Sequence, residues 1–165
     1  MSNQLRFNEG KPHFHYWYST RLASFLGEDL GELAPRHAKA ASALLENLTL
    51  WLCDRIDHRA LIEFWREVCY DLDLASLYTE VCEFGETKYD RGNFRKGQSV
   101  CHYADSCIRH LKRLIKDEAC DQDSGKSHFG HAWWNVGQIF EIMEQPEVAK
   151  QRDDRLFHHG DLSGR

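Results

Sequence analysis

The run RHLKRLIKDEACDQDSGKSHFGHAWWN, residues 109–135, sets the end of one amphipathic helix against the start of another across an acidic loop. Upstream, Val100, Ala104, Cys107, Ile108, Leu111, Leu114 and Ile115 recur at steps of three and four, the stripe of a helix that turns one face to a core. Downstream, Phe129, Ala132, Trp133, Val136, Ile139, Phe140 and Met143 make a second stripe, with Ser127 placed to cap its first turn. Beside it His128, His131, Asn135 and Gln138 climb at steps of three, four and three, a polar row on the adjoining face. Glu118, Asp121 and Asp123 lie in the loop, Gly125 lets it turn tightly, and Arg109 and His110 end the first helix beside it. Carboxylate oxygens and imidazole nitrogens can therefore meet in one place.

Reading outward, the apolar period stays near that of a helix through 36–56, 59–72, 74–88, 99–117 and 127–144. The expectation is an all-α fold, a bundle of about five main helices with almost no sheet, in a single domain over 1–165. Residues 1–18 show no helical period and carry Gly10-Lys11-Pro12, so they read as an extended arm whose aromatic run 13–18 packs on the body and whose Lys11 can reach a phosphate. Pro35 suits the first turn of a long helix, and the Asp57-His58 pair reads as a helix boundary with a capping aspartate. On the helix from Leu74, Glu80, Glu83 and Glu86 recur at steps of three. Such rows are usually solvated faces, though spaced carboxylates also suit a hard cation. The turn over 85–97 carries Lys88, Tyr89, Asn93, Arg95 and Lys96 between glycines, so its amides and cations can hold phosphate.

Composition limits the function classes. With 165 residues, 42% hydrophobic and 28% charged, the chain is long enough for one sizeable core. A formal charge of -5 and no block of Lys and Arg exclude a protein built to coat nucleic acid. No basic leader precedes an apolar run and no stretch is long enough to span a bilayer, so a cytoplasmic protein without a membrane partner is expected. The six cysteines form no C-x-x-C and fall mostly within helical patterns, which reads as reduced thiols. Asp121-x-Asp123-x-Gly125 fails as a calcium loop, because the glycine is one place early and Ala132 stands where the closing Glu belongs. Zinc at Cys120, His128 and His131 lacks a recognised spacing, and no zincin, nucleophile-elbow or Walker motif occurs.

Taken together, Arg6-x-x-x-Gly10-Lys11-Pro12, Phe84-Gly85-x-x-Lys88-Tyr89-x-x-x-Asn93-Phe94-x-Lys96-Gly97, Arg109-His110-Leu111 and Glu118-x-x-Asp121-x-Asp123-x-Gly125-x-x-His128-x-x-His131-Ala132-x-x-Asn135 resemble the phage-associated dATP/dGTP diphosphohydrolase-like family. That family is similar in function to the all-α MazG-like nucleoside triphosphate pyrophosphohydrolases, which use helix-borne carboxylates and magnesium. The resemblance sets the arm, 1–18, and a family-like core, 74–145, around a helical insert, 35–73. Two positions depart from the family: Asp117 stands where Gly is usual, and Asp123 where Glu is usual.

The resemblance implies a magnesium-dependent hydrolase of a deoxynucleoside triphosphate, purine in base, that releases pyrophosphate; manganese is the substitute ion. Glu83, Glu118, Asp121 and Asp123 are the candidate metal ligands. Lys11, Lys88, Tyr89, Asn93, Arg95, Lys96, Arg109 and Asn135 are candidates for substrate binding, and His110, His128 and His131 for proton handling or water orientation. The expected partner is a small-molecule nucleotide, with a homo-oligomer as an option and the host cytosol as the location if a phage encodes the chain. Two other classes compete: a catalytically silent protein that sequesters a nucleotide or nucleotide signal, and a structural helical protein whose polar row stabilises a homodimer.

Overall fold

A computed structural model describes residues 36–70, 72–89 and 93–156; the expected extended arm, with Lys11, lies outside the described residues. Among the described residues six α-helices follow in order: α1, Arg36–Leu52; α2, His58–Val68; α3, Leu74–Lys88; α4, Val100–Ile115; α5, His128–Met143; and α6, Pro146–Arg152. A single 3-10 turn, Asn93–Lys96, stands between α3 and α4. Among the described residues there is no strand, only an isolated antiparallel bridge between Cys120 and Ser127. The all-α reading holds, and no described helix is long and apolar enough to cross a membrane.

The core is built on the α4–α5 hairpin. Cys107 meets the Ala132 carbonyl, His110 meets His128 and Tyr103 meets Trp134, so the two helices run antiparallel with their apolar stripes facing. Val100, Ala104, Ile108, Leu111 and Leu114 of α4 and Ala132, Val136 and Ile139 of α5 are buried there. From the insert, α1 adds Ala41, Leu44, Leu48 and Trp51, and α2 adds Leu61 and Trp65, whose ring stacks on Trp133 with centroids 6.4 Å apart. The insert therefore supplies much of the one hydrophobic cluster. After α6, Arg155 fastens the chain back on α1: its guanidinium donates to the Trp51 carbonyl at 2.7 Å, grips both oxygens of Asp153, and lies over the Trp51 ring.

Outside this cluster α3 lies on α5 by close backbone approach. A Cβ on Gly130 would stand 3.0 Å from the Leu77 carbonyl oxygen, and one on Gly137 would stand 3.1 Å from the Tyr78 ring. Gln138 donates to the Tyr78 hydroxyl at 2.8 Å, which fixes the register of the two helices. The consequence is positional: Glu80, Phe84 and Lys88, one face of α3 at steps of four, are brought beside the acidic loop and the start of α5.

Helix starts follow the capping signals. Asp57, Asp73 and Ser127 each accept a backbone N–H from their own first turn. Two ends differ from the sequence expectation. The first helix stops at Leu52 rather than 56, because Asp54 takes φ 55° and Arg55 N–H closes onto the Leu50 carbonyl, a left-handed cap. The second stops at Val68 rather than 72, with the Cys69 N–H returned to Trp65 and Glu67. The short α6, opened by Pro146, was not foreseen.

Candidate functional site

The loop between α4 and α5 is hydrogen-bonded at both ends. Asp117 has φ 66°, with its N–H bonded to the Leu114 carbonyl and the Glu118 N–H bonded to Arg113, so α4 ends in a Schellman turn. The position demands left-handed backbone, which accounts for a departure from Gly that costs conformational energy without removing a ligand. Asp121 and Lys126 pair through the backbone, His128 N–H reaches the Ala119 carbonyl, and Gly125 turns at φ 67°. This frame aims two side chains, Asp121 and Ser124, at the first turn of α5.

Proton bookkeeping then fixes a network. Asp121 Oδ2 accepts from the Ser124 N–H at 3.0 Å and from the Ser124 hydroxyl at 2.8 Å. The same hydroxyl oxygen lies 2.7 Å from His131 Nε2 and accepts from the Lys126 N–H at 3.2 Å. Ser124 has one proton and gives it to the carboxylate, so His131 Nε2 must carry a hydrogen and donate it. Burial pushes the Asp121 carboxyl up, yet the two Ser124 bonds and the facing His131 and His128 outweigh it and hold the group below its usual value. Asp121 is thus the ionised end of a His131–Ser124–Asp121 chain.

Three imidazoles gather around that carboxylate. His110 stacks on His131 with centroids 4.5 Å apart and planes 8° from parallel, and the Phe84 ring meets His131 at 87°, with centroids 6.3 Å apart. His110 Nδ1 and His128 Nδ1 stand 2.8 Å apart. One of them must donate and the other accept, so the contact cannot form between two imidazolium rings. Burial is the main cause that lowers the His128 pKa, against the pull of Asp121 and Glu118, which favours the neutral ring.

The structure brings His110, His128, His131 and Asp121 together and leaves the other expected ligands apart. Glu83 is exposed on α3, and Glu118 accepts both its bonds from Arg113 Nη1, at 3.0 and 3.1 Å. Asp123 is exposed and pairs loosely with Lys88, Nζ to oxygen 3.8 Å. Arg109, Tyr89 and Asn93 are half-buried and Lys96 is exposed; the side chain of Arg95 lies outside the described residues. Asn135 is buried and donates to the His131 carbonyl at 2.7 Å, so it braces the helix under the histidine. Ser124 was missed. Its signal was the Asp121-x-x-Ser124 spacing, in which an aspartate accepts the N–H three residues on and sets a turn.

Among the described residues, one ligand atom from each of His110, Asp121 and His128 lies within 4.8 Å of the other two. Magnesium held by protein wants oxygen ligands in a near-octahedral set. Two nitrogens for one carboxylate do not suit it. At the start of α5 the backbone amides are partly used up, since those of His128 and Phe129 already bond Ala119 and Ser127. Phosphate would meet the helix dipole and nearby cations there rather than a set of open amides.

A family model described as dATP/dGTP diphosphohydrolase, N-terminal, matches residues 72–155, from just before α3 to just past α6. The match covers half of the chain and takes in every residue of the His–Asp–Ser cluster, and the chain belongs to that family. No curated protein and no solved structure matches it.

Proposed function

Proceeding from that membership, we propose that the chain hydrolyses a purine deoxynucleoside triphosphate, dATP or dGTP, to the monophosphate and pyrophosphate at the junction of the acidic loop and α5. The observation that carries the reading is the His131–Ser124–Asp121 chain, a histidine whose Nε2–H is anchored through a hydroxyl to an ionised carboxylate. Such anchoring fixes the ring and its tautomer, so the lone pair is on Nδ1. Water attacks the α-phosphorus, its proton passes to His131 Nδ1, and the bond from the α-phosphorus to the bridging oxygen breaks, so pyrophosphate leaves. The imidazolium formed is stabilised by the Asp121 charge at the far end of the chain.

The triphosphate arrives as its magnesium complex, which lowers its charge before it meets a chain of net charge -5. Lys88 and Lys126 are cations beside the acidic loop. Their ion pairs with Asp123 and Glu80, at 3.8 and 3.7 Å, are long and partly exposed, so they hold the lysines weakly enough to be traded for phosphate. Asp117 and Asp123, the two departures from the family, would favour a catalytically silent binder only if they removed part of the site. The first is a backbone cap and the second an exposed partner of Lys88, so neither departure removes the central network.

The test is incubation with each deoxynucleoside triphosphate and magnesium, with products resolved by anion-exchange chromatography. The expected products are dAMP or dGMP and pyrophosphate. Tight binding without turnover, or release of orthophosphate alone, would contradict the proposal.

A further inference from the structure

His110 comes from the last turns of α4 and His128 from the first residue of α5, so both rings are placed by the helix hairpin rather than by a mobile surface loop. They present Nδ1 to Nδ1 at 2.8 Å, with His128 3% exposed. Two nitrogens so placed either share one proton or share one cation. For an ion with bonds of about 2.1 Å, neighbouring ligands stand about 3.0 Å apart at right angles and about 3.4 Å apart in the tetrahedron that zinc prefers. The observed nitrogen pair, at 2.8 Å, has only to part by a few tenths of an ångström to take an ion. An Asp121 ligand oxygen lies within 4.8 Å of both nitrogens, so the carboxylate closes the set by moving inward.

We propose that His110 Nδ1, His128 Nδ1 and an Asp121 carboxylate oxygen form a site for one borderline transition-metal ion of the zinc class. Imidazole suits zinc, cobalt and their neighbours, whereas magnesium selects oxygen. Three protein ligands leave coordination positions open to water or to a phosphate oxygen, the pattern of a working rather than a purely structural ion. Binding needs both Nδ1 lone pairs, so the proton held between the rings moves to Nε2 of the ring that carried it, and forming an imidazolium on either ring competes with the ion; affinity falls as the solution is acidified. Cys120, also in the loop, is exposed and is not part of the group. The existence of the site stands on this geometry alone; its use in catalysis rests on the proposed hydrolysis.

The experiment is a titration of the full-length, chelator-stripped protein with Co2+, read by its visible absorption, followed by displacement with Zn2+ and by challenge with excess Mg2+. The expected result is one Co2+ per chain, with bands removed by zinc and untouched by magnesium. His110→Asn and Asp121→Asn should each weaken binding at least tenfold while keeping the helical circular dichroism of the parent, and Cys120→Ser should leave the bands unchanged. Absence of cobalt bands, loss of them to magnesium, or loss of them in Cys120→Ser would overturn the site. Because the readout needs no nucleotide, zinc binding without hydrolysis sinks only the proposed function, and hydrolysis with magnesium but no cobalt bands sinks only this inference.

Discussion

At the scale of the residue, His131 has the most constrained environment of the candidate catalytic groups. Its Nε2–H is given to Ser124, its ring meets those of His110 and Phe84, and its carbonyl is braced by Asn135. Glutamine can still donate to Ser124 from about the same place but offers no basic nitrogen. His131→Gln is therefore expected to melt within a few degrees of the parent, yet to lose most nucleotide turnover. An early-melting variant that works normally when folded would make the histidine a packing residue. His128 leads to a separate expectation, in pH. Its folded pKa lies below 6.5, so the unfolded chain takes up a proton more readily than the native one. In chelator-treated protein, stability should be unaffected by this group above that value, fall as pH drops through it, and level off below the folded pKa. Thermal melts of the parent and His128→Asn check it: the variant should show a flatter slope between neutrality and mild acid.

At the scale of the element, α3 is held to α5 where glycine permits contact, so the small residue matters more than helix propensity. Gly130→Ala should gain about 1 kcal/mol in intrinsic helix preference but lose more, about 1–3 kcal/mol, through the Cβ forced toward the Leu77 carbonyl. A lower melting temperature is expected; a higher one would show that α3 slides freely. The reverse applies at the end of α4. Asp117→Gly should relieve about 0.5–1 kcal/mol of left-handed backbone strain at φ 66°, less what it gives up in the pair with His37, whose Nε2 is buried, so a small net gain in stability is expected. Denaturant melts read both changes. Sequence made the starts of α2 and α5 legible because Asp57 and Ser127 carry their capping chemistry in their own side chains. The end of α1 was illegible because it turns on Asp54 adopting positive φ, which aspartate tolerates but does not announce.

At the scale of the whole molecule, the candidate site exists because two contacts between helices coincide. The α4–α5 hairpin brings His110 to His128, and α3 lies across α5 with Phe84 against His131. The stretch 109–135 displayed the imidazoles and carboxylates, and Asp121 with all three histidines does converge. The Nδ1–Nδ1 contact and the serine link could not be read from it, since they depend on ring rotamers and on the hydrogen-bonded frame of the loop. Glu83, Glu118 and Asp123 show the converse: ligand-like in pattern, they are turned to solvent, to Arg113 or to Lys88. The insert supplied the other surprise, since Trp51 and Trp65 are fully inside and tie α1 and α2 into the same core that supports the site. The central claim is hydrolysis at the α-phosphorus by a water that this junction activates. Its most direct test is turnover of dGTP and dATP in heavy-oxygen water, followed by mass spectrometry of both products. Heavy oxygen is expected in the nucleoside monophosphate, with the pyrophosphate unlabelled; label in the pyrophosphate with none in the monophosphate, or no turnover at all, would overturn hydrolysis at the α-phosphorus.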